Sequence, residues 1–361
     1  MRKESVMNER HAILRRIADT SAKKLGNLQI RIEHAGLDEP FVFSTSTPNQ
    51  VFHSASVGKL ATTVTIVQAI EVGRLDWTTP IAPRFPKHAL NGLFVFKGKD
   101  HQDEVTVAHL LGHTSGINDY FEGKSSPQKP LIHQAVDQPD RRFRVDELID
   151  FTRNHQKAVG VPGGRFYYSD TGFLLLGRLA EAVWGQPLHR IFRERMFDPL
   201  AMNDTGLCFE DPAFDKDKLA PLFVKKTNLS KAASLSVDWA GGGLFTTTAD
   251  LTKLVKGIVD GSLLSKSSLE RMSHFKHGFR AGMYYGLGLM EMRFEKLFFL
   301  LKGLPRLIGH TGILGVHAWI DPATRDTYVI NVGDVDKIAG SFQLLIQIVA
   351  TLMRPTTPNI R

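Results

Sequence analysis

Apolar residues in this chain change period twice, and that change limits the folds open to it. Leu28-Gln-Ile-Arg-Ile-Glu33 alternates as a half-buried strand does, and Phe41-Val-Phe43 reads as its hairpin partner across a Gly36–Pro40 turn. From Asp76 to about Asp238 the helical period dominates, most clearly over Val107–Leu111, Val145–Thr152 and Thr171–Trp184. Proline and glycine interrupt it at Pro80, Pro83, Pro86, Pro162, Gly163 and Gly164. After Tyr285 alternation returns over Gly286–Phe294, Ile308–Thr311, Gly315–Ile320 and Thr327–Val332, with Asp321–Asp326 as a hairpin loop. Leu297–Leu301 reads as a further buried strand. Helical patterns cover Asn8–Leu25, Thr246–Val259 and Ala339–Met353, the last with Phe342, Leu345, Ile346, Val349 and Met353 on one face.

Strands at both ends with helices between them predict an α+β fold. Residues 27–75 and 239–361 would form an antiparallel sheet domain, residues 1–26 a helix covering it, and residues 76–238 an inserted helical domain. A cleft between two such bodies is a natural ligand site.

Ser56-Val-Gly-Lys59 stands where such a cleft needs a reactive group. Residues three apart share a helix face, so Lys59 can help remove the Ser56 hydroxyl proton. The run behind it, Leu60–Glu71, suits a buried helix, which puts Ser56 near a helix N-terminus that favours developing negative charge. Ser-x-x-Lys also occurs at Ser21, Ser126 and Ser273. Those three lie in a charged helix, a polar loop before Pro127 and a stretch without motif context.

Composition removes several function classes. The lone cysteine, Cys208, permits no intrachain disulfide and reads as a small buried hydrophobe. No apolar signal region follows the N-terminus and no run approaches about 18 apolar residues, so the expectation is a cytoplasmic protein without an integral membrane segment. The net charge of +8 is scattered, with no zinc-finger or RNA-binding signature, so nucleic acid is not an expected partner. The histidines have no metal spacing, and no metal or cofactor is expected. Gly-x-Ser-x-Gly is absent, which argues against an α/β-hydrolase fold.

Three later segments join Ser56: Leu110-Leu-Gly-His-Thr-Ser-Gly-Ile117, Tyr168-Ser-Asp170 ahead of a helix, and His310-Thr-Gly312 on a late strand. With them the chain resembles the serine β-lactamase and penicillin-binding superfamily, in the branch of class C β-lactamases, D-alanyl-D-alanine carboxypeptidases and esterases. The resemblance runs from about residue 27 to 335 and includes Pro199–Gly206 and Ala240–Asp250. It implies the β-lactamase/transpeptidase-like fold, with a five-stranded antiparallel sheet. It also implies that Ser56 is acylated, that Lys59 and Tyr168 move its proton, and that the backbone N–H groups of Ser56 and Ile313 form the oxyanion hole. Asp170, His310, Thr311, Gly312 and Ile313 would bind substrate, and Tyr120 and Phe121, in the loop after His113, would contact the acyl group. His113 would orient a turn.

Two positions depart from the resembled pattern. Asp170 stands where β-lactamases usually carry asparagine; an ionised aspartate cannot donate a hydrogen bond there. It should keep Lys59 protonated and shift the base role to a Tyr168 phenolate favoured by nearby cations. His310 replaces a lysine that would pair with a substrate carboxylate. The reading is a serine hydrolase acting through acyl-Ser56 on a small ester, amide or peptide, with esters first. Alternatives are D-amino-acid peptidase or amidase chemistry, weak β-lactamase activity, or a non-catalytic binding protein of the same fold. Substrate size should depend on the loops Lys87–Asp103 and Lys124–Gln138, and the oligomeric state is open.

Overall fold

The structure is a computed structural model that describes residues 2–354, with side chains from residue 9 onward. Eight strands form one antiparallel sheet: β1 (Gln29–Glu33), β2 (Phe41–Ser44), β3 (His277–Arg280), β4 (Met283–Tyr285), β5 (Met290–Met292), β6 (Leu307–Gly312), β7 (Val316–Ile320) and β8 (Thr327–Asn331). Their order is β3-β4-β5-β6-β7-β8-β1-β2. The N-terminal hairpin therefore joins the C-terminal meander through β1 and β8, with Ile30 opposite Ile330.

Eight strands replace the five expected. The hairpin β3–β4 precedes the point where alternation becomes visible. Its strands are four and three residues long, too short to display a period. Gly286–Leu289 is a turn, closed by Gly286 N–H to the Leu289 carbonyl at 2.9 Å with Gly288 at φ +74°. Leu297–Leu301 is not a buried strand: it follows one 3-10 turn, Phe294–Lys296, and contains a second, Phe299–Leu301, with Phe298, Phe299 and Leu300 exposed.

Five longer helices position the rest: α1 (Arg2–Leu25), α2 (Lys59–Glu71), α3 (Asp170–Trp184), α4 (Thr248–Val259) and α5 (Ile338–Met353). Strand alternation splits the apolar residues between two cores. Ile30, Ile32, Trp319, Tyr328 and Ile330 face α1 and α5. Val316, Ala318, Ile320 and Val329 face the other layer, which includes α2, α3 and α4. That second core runs without a break from the sheet into the helices of residues 76–238.

Helix α2 is buried almost all round, from Leu60 to Val67, as an apolar helix at the centre of a fold must be. Truncating Leu60, Val64 or Ile66 there to alanine would cost about 2–5 kcal/mol. In α5 the buried stripe is Leu344, Leu345, Ile348, Val349 and Leu352, rotated from the expected face, and Met353 is exposed. The segment Val335–Met353 reaches the length and mean hydropathy, 1.3, of a membrane span, contrary to the sequence expectation. In this fold its buried stripe packs on the sheet and α1.

Candidate active site

The nucleophile turn is held from behind by a small sheet. Phe52–His53 pairs with Leu244–Thr246, and Ser54 N–H donates to the Leu244 carbonyl at 2.8 Å. The chain then makes a 3-10 turn, Ala55–Gly58, that runs directly into α2 at Lys59. Ala55 sits at φ +46°, a left-handed conformation that a side chain occupies at a cost. His53 Nδ1 accepts the Ala55 N–H at 3.1 Å and steadies it. Burial pushes His53 down to about 4, so it stays neutral and keeps accepting.

Lys59 is fully buried, and its ammonium has three partners. It donates to Ser56 Oγ at 3.2 Å, to the Gly241 carbonyl at 2.6 Å and to Asp170 Oδ1. Burial opposes its charge, but Asp170 and Asp238 outweigh burial and hold its pKa above the ordinary lysine value. The expectation of a protonated Lys59 therefore agrees with its surroundings. Helix α3 is capped by Ser169, which accepts Gly172 N–H at 3.3 Å. This frees the Asp170 carboxylate to face Lys59.

Tyr168 stands beside them as a phenol, not a phenolate. Burial and then the Asp170 charge drive its pKa well above 10, and only Ser56 acts the other way. Its hydroxyl is buried and closes no hydrogen bond of good geometry. The Lys59 ammonium lies 5.0 Å from the ring centroid, not at the oxygen. The cations expected to favour a phenolate are thus outweighed by burial and carboxylates. His113 orients this tyrosine: its ring lies 4.3 Å from that of Tyr168, and its Nδ1 accepts the Ser169 N–H at 3.1 Å.

Two further carboxyls crowd the site and had escaped the sequence reading. Asp119 accepts N–H groups from Glu122 at 2.8 Å, Asp170 at 2.9 Å and Phe121 at 3.3 Å, tying the pocket loop to the start of α3. Burial and the Asp170 charge push Asp119 up to about 7. Burial likewise raises Asp238 to about 7, against the pull of Lys59. Asp119 follows His113-Thr-Ser-Gly-Ile-Asn in sequence, a motif that pointed to the turn and not to its carboxylate.

The residues around Ser56 enclose a cavity of about 420 Å³. Thr311, Gly312 and Ile313 form one wall, Tyr168 and Asp170 another. Gly312 has to be glycine: a Cβ there would lie 2.7 Å from Ala55 Cβ and 3.2 Å from Ser56 N. The backbone N–H groups of Ser56 and Ile313 have no partner among the described residues, as an oxyanion hole requires.

His310 and Tyr120 are not in the cavity. His310 is fully buried, with Nδ1 bonded to the Thr311 carbonyl at 2.8 Å and Nε2 to Tyr285 Oη at 3.2 Å. Burial pushes it down to about 3, so it is a satisfied neutral core histidine. Tyr120 is also buried and donates its hydroxyl to the Val237 carbonyl at 2.7 Å. Their neighbours Phe121 and Glu122 line the cavity instead, together with Phe166, Phe279, Met283 and, from α5, Phe342. Neither Lys87–Asp103 nor Lys124–Gln138, the expected determinants of substrate size, contributes to this wall. Cys208 is buried, and burial drives its thiol well above 9. Among the described residues no cluster suits a metal ion.

The Beta-lactamase family model matches residues 33–357. The putative penicillin-binding protein PbpX of Bacillus subtilis is 25% identical over 67% of this chain and 54% of its own length. The chain thus spans about half of that relative. A putative D-alanyl-D-alanine carboxypeptidase of Escherichia coli is 24% identical over 81% of this chain and 70% of its own, and the lovastatin esterase of Penicillium rubens is 27% identical over 62% and 59%. Among solved structures, D-amino acid amidase from Ochrobactrum anthropi superposes with a TM-score of 0.79 at 21% identity, covering 95% of this chain and 98% of that one. EstCE1, a hydrolase with promiscuous acyltransferase activity, gives 0.75 at 17% identity over 97% and 99%.

Proposed function

This chain belongs to the Beta-lactamase family, a family of serine hydrolases, and on that premise we propose that it hydrolyses esters of apolar acids through an acyl-Ser56 intermediate. One observation carries the choice of ester. The strand motif that faces the pocket presents no cation, because His310 is neutral and turned into the core. What remains around Ser56 is an aromatic wall, Phe121, Phe166, Phe279 and Phe342, beside the charged Asp119, Glu122, Asp170 and Arg280. Such a wall suits an acyl group without a carboxylate.

The proton path follows from the contacts. Lys59 Nζ bridges Ser56 Oγ and Asp170 Oδ1. As Ser56 Oγ bonds to the ester carbon, its proton moves to Lys59, and Lys59 passes one of its own to Asp170. The ester C=O bond opens to an oxyanion held by the N–H groups of Ser56 and Ile313. Tyr168, a phenol, gives its proton to the departing alkoxide as the C–O bond breaks. The phenolate left behind takes a proton from water as that water attacks the acyl-enzyme. Collapse releases the acid, and Ser56 recovers its proton from the Lys59–Asp170 pair.

A second reading, amidase action on a D-amino acid amide, is favoured by Glu122 and Asp119, whose carboxyls line the same cavity and suit a substrate ammonium. The test of both is hydrolysis of p-nitrophenyl butyrate and of D-phenylalanine p-nitroanilide by the protein and by Ser56→Ala. Ester turnover lost in the variant is the expected result. Preference for the anilide replaces the ester reading with the second, and equal rates in protein and variant overturn both.

A further inference from the structure

The segment Phe294–Leu307 is two-faced. Leu297, Leu301 and Leu304 turn inward onto the core beneath α1 and α5. Phe298, Phe299 and Leu300 turn outward and are 52%, 71% and 69% exposed. Three consecutive large apolar side chains in water are uncommon unless something covers them. The two phenyl rings stand 4.8 Å apart and form a compact wedge. Consecutive turns hold its flanks: Leu297 N–H bonds to the Phe294 carbonyl, Leu301 N–H to Phe298 and Lys302 N–H to Phe299.

The surround is basic. Lys296, Lys302 and Arg306 are exposed beside the wedge, and Glu295 is the one acidic residue between Phe294 and Leu307. Glu295 pairs with Arg306 at 3.0 Å, which leaves Lys296 and Lys302 without an ion pair among the described residues. An apolar tip ringed by unpaired lysines is complementary to a surface with anionic headgroups outside and hydrocarbon within.

We propose that Phe298-Phe299-Leu300 is a docking wedge for an anionic lipid bilayer. The wedge enters the headgroup boundary, and Lys296 and Lys302 contact lipid phosphate and carboxylate. The surface lies next to the active site. A Cβ on Gly282, at the β3–β4 turn, would lie 2.5 Å from Leu297, and Arg293 N–H bonds to the Gly282 carbonyl at 2.7 Å. That same hairpin supplies Phe279 and Arg280 to the cavity wall. Docking would therefore bring the pocket rim toward the lipid, whatever bond Ser56 cleaves.

The test is co-sedimentation of the full chain with phosphatidylcholine vesicles, with and without phosphatidylserine as one third of the lipid. A triple variant, F298S/F299S/L300S, removes the wedge, and K296S/K302S removes the charge. Thermal unfolding and Ser56 labelling by a fluorophosphonate establish that each variant is folded. The expected result is binding to the serine-containing vesicles that weakens with salt. It should be lost in the triple variant and fall about 25-fold in the double variant, from about fivefold per lysine. Equal binding by the protein and a folded triple variant, or no binding to anionic vesicles, overturns the proposal. So does a dimer in solution that the triple variant dissolves, because the wedge would then be covered by a second copy.

Discussion

Replacing Lys59 with methionine isolates the electrostatic design of the site. Methionine keeps an unbranched chain in the fully buried channel and removes the ammonium that pairs with Asp170 and attracts Asp238. Taking one partner from a buried ion pair costs about 3–5 kcal/mol. A Coulomb estimate agrees, since opposite charges ~4 Å apart at an effective dielectric of ~20 attract by about 4 kcal/mol. The loss should depend on pH in a fixed sense. Asp119 and Asp238 already have folded-state values near 7, above the ordinary carboxyl value. The folded state therefore binds these protons more tightly than the unfolded chain. Their stabilising effect is complete below the ordinary value and is lost as pH rises through 7. Without Lys59, which pulls Asp238 downward, the folded value of Asp238 climbs further. The variant should thus lose about 3–5 kcal/mol near pH 8 and less near pH 5, where a protonated Asp238 needs no cation. Urea unfolding of both proteins across that range measures it. A penalty that is flat with pH, or that grows as pH falls, refutes the account of Asp170 and Asp238 sharing one cation.

Three other outcomes are expected. Tyr168→Phe should lower ester kcat by about 10²–10⁴-fold while leaving the unfolding temperature unchanged or slightly higher, because the hydroxyl it removes is buried and unbonded; a clear loss of stability would mean that the hydroxyl is structural. Gly312→Ala should reduce kcat by about 10²–10³-fold with the fold retained, since its Cβ presses on Ala55 and Ser56 N, and normal turnover would remove Gly312 from the oxyanion wall. Imidazole NMR should find His310 neutral down to about pH 4, in line with its value of about 3, and protonation near 6.5 would reopen the case for His310 facing substrate.

What the sequence made legible was regular structure and motif chemistry. Helices α2 to α5 and strands β6 to β8 lie where apolar periods predicted them, because burial of one face imposes a period. Ser56, Lys59 and Asp170 meet because each lies at the start of a helix, where position follows from the element. The misses share one cause, the absence of a period to read. Tyr120, Phe121 and Glu122 are consecutive in a loop, and only the turn closed by Asp119 decides which faces the cavity. His310 and Thr311 are consecutive in a strand, so their side chains point to opposite sides, and the cavity lies on the side of Thr311. Helix α5 is apolar around most of its circumference, so its phase was undetermined, and Phe342 came to the cavity wall unannounced. Leu297–Leu301 carried the composition of a strand but two faces of opposite fate, which composition cannot express.

The charge layout of the site bears on what can enter it. Asp119, Asp170 and Glu122 line the cavity, with Asp238 close behind, against the single buried ammonium of Lys59. Asp119 and Asp238 release their protons near pH 7, so the floor becomes more negative just as pH passes neutrality. A substrate carboxylate placed beside Thr311 would meet this field with no cation on that strand to offset it, because His310 is neutral, and the one guanidinium in the lining, Arg280 on β3, is set against three carboxyls. A β-lactam or a peptide ending in D-alanine carries such a carboxylate, whereas a simple ester carries none and an amino acid amide carries a cation. The disfavoured substrates should gain relative to esters as pH falls from about 8 to 6, as two of the carboxyls discharge. The +8 of the whole chain does not alter this, since those charges are scattered over solvated surface and screened within about 10 Å. The balance to be tested is that of Asp119, Asp170 and Glu122 against Lys59 and Arg280, and Asp170 and His310, the two departures from the resembled pattern, each move it away from positive charge.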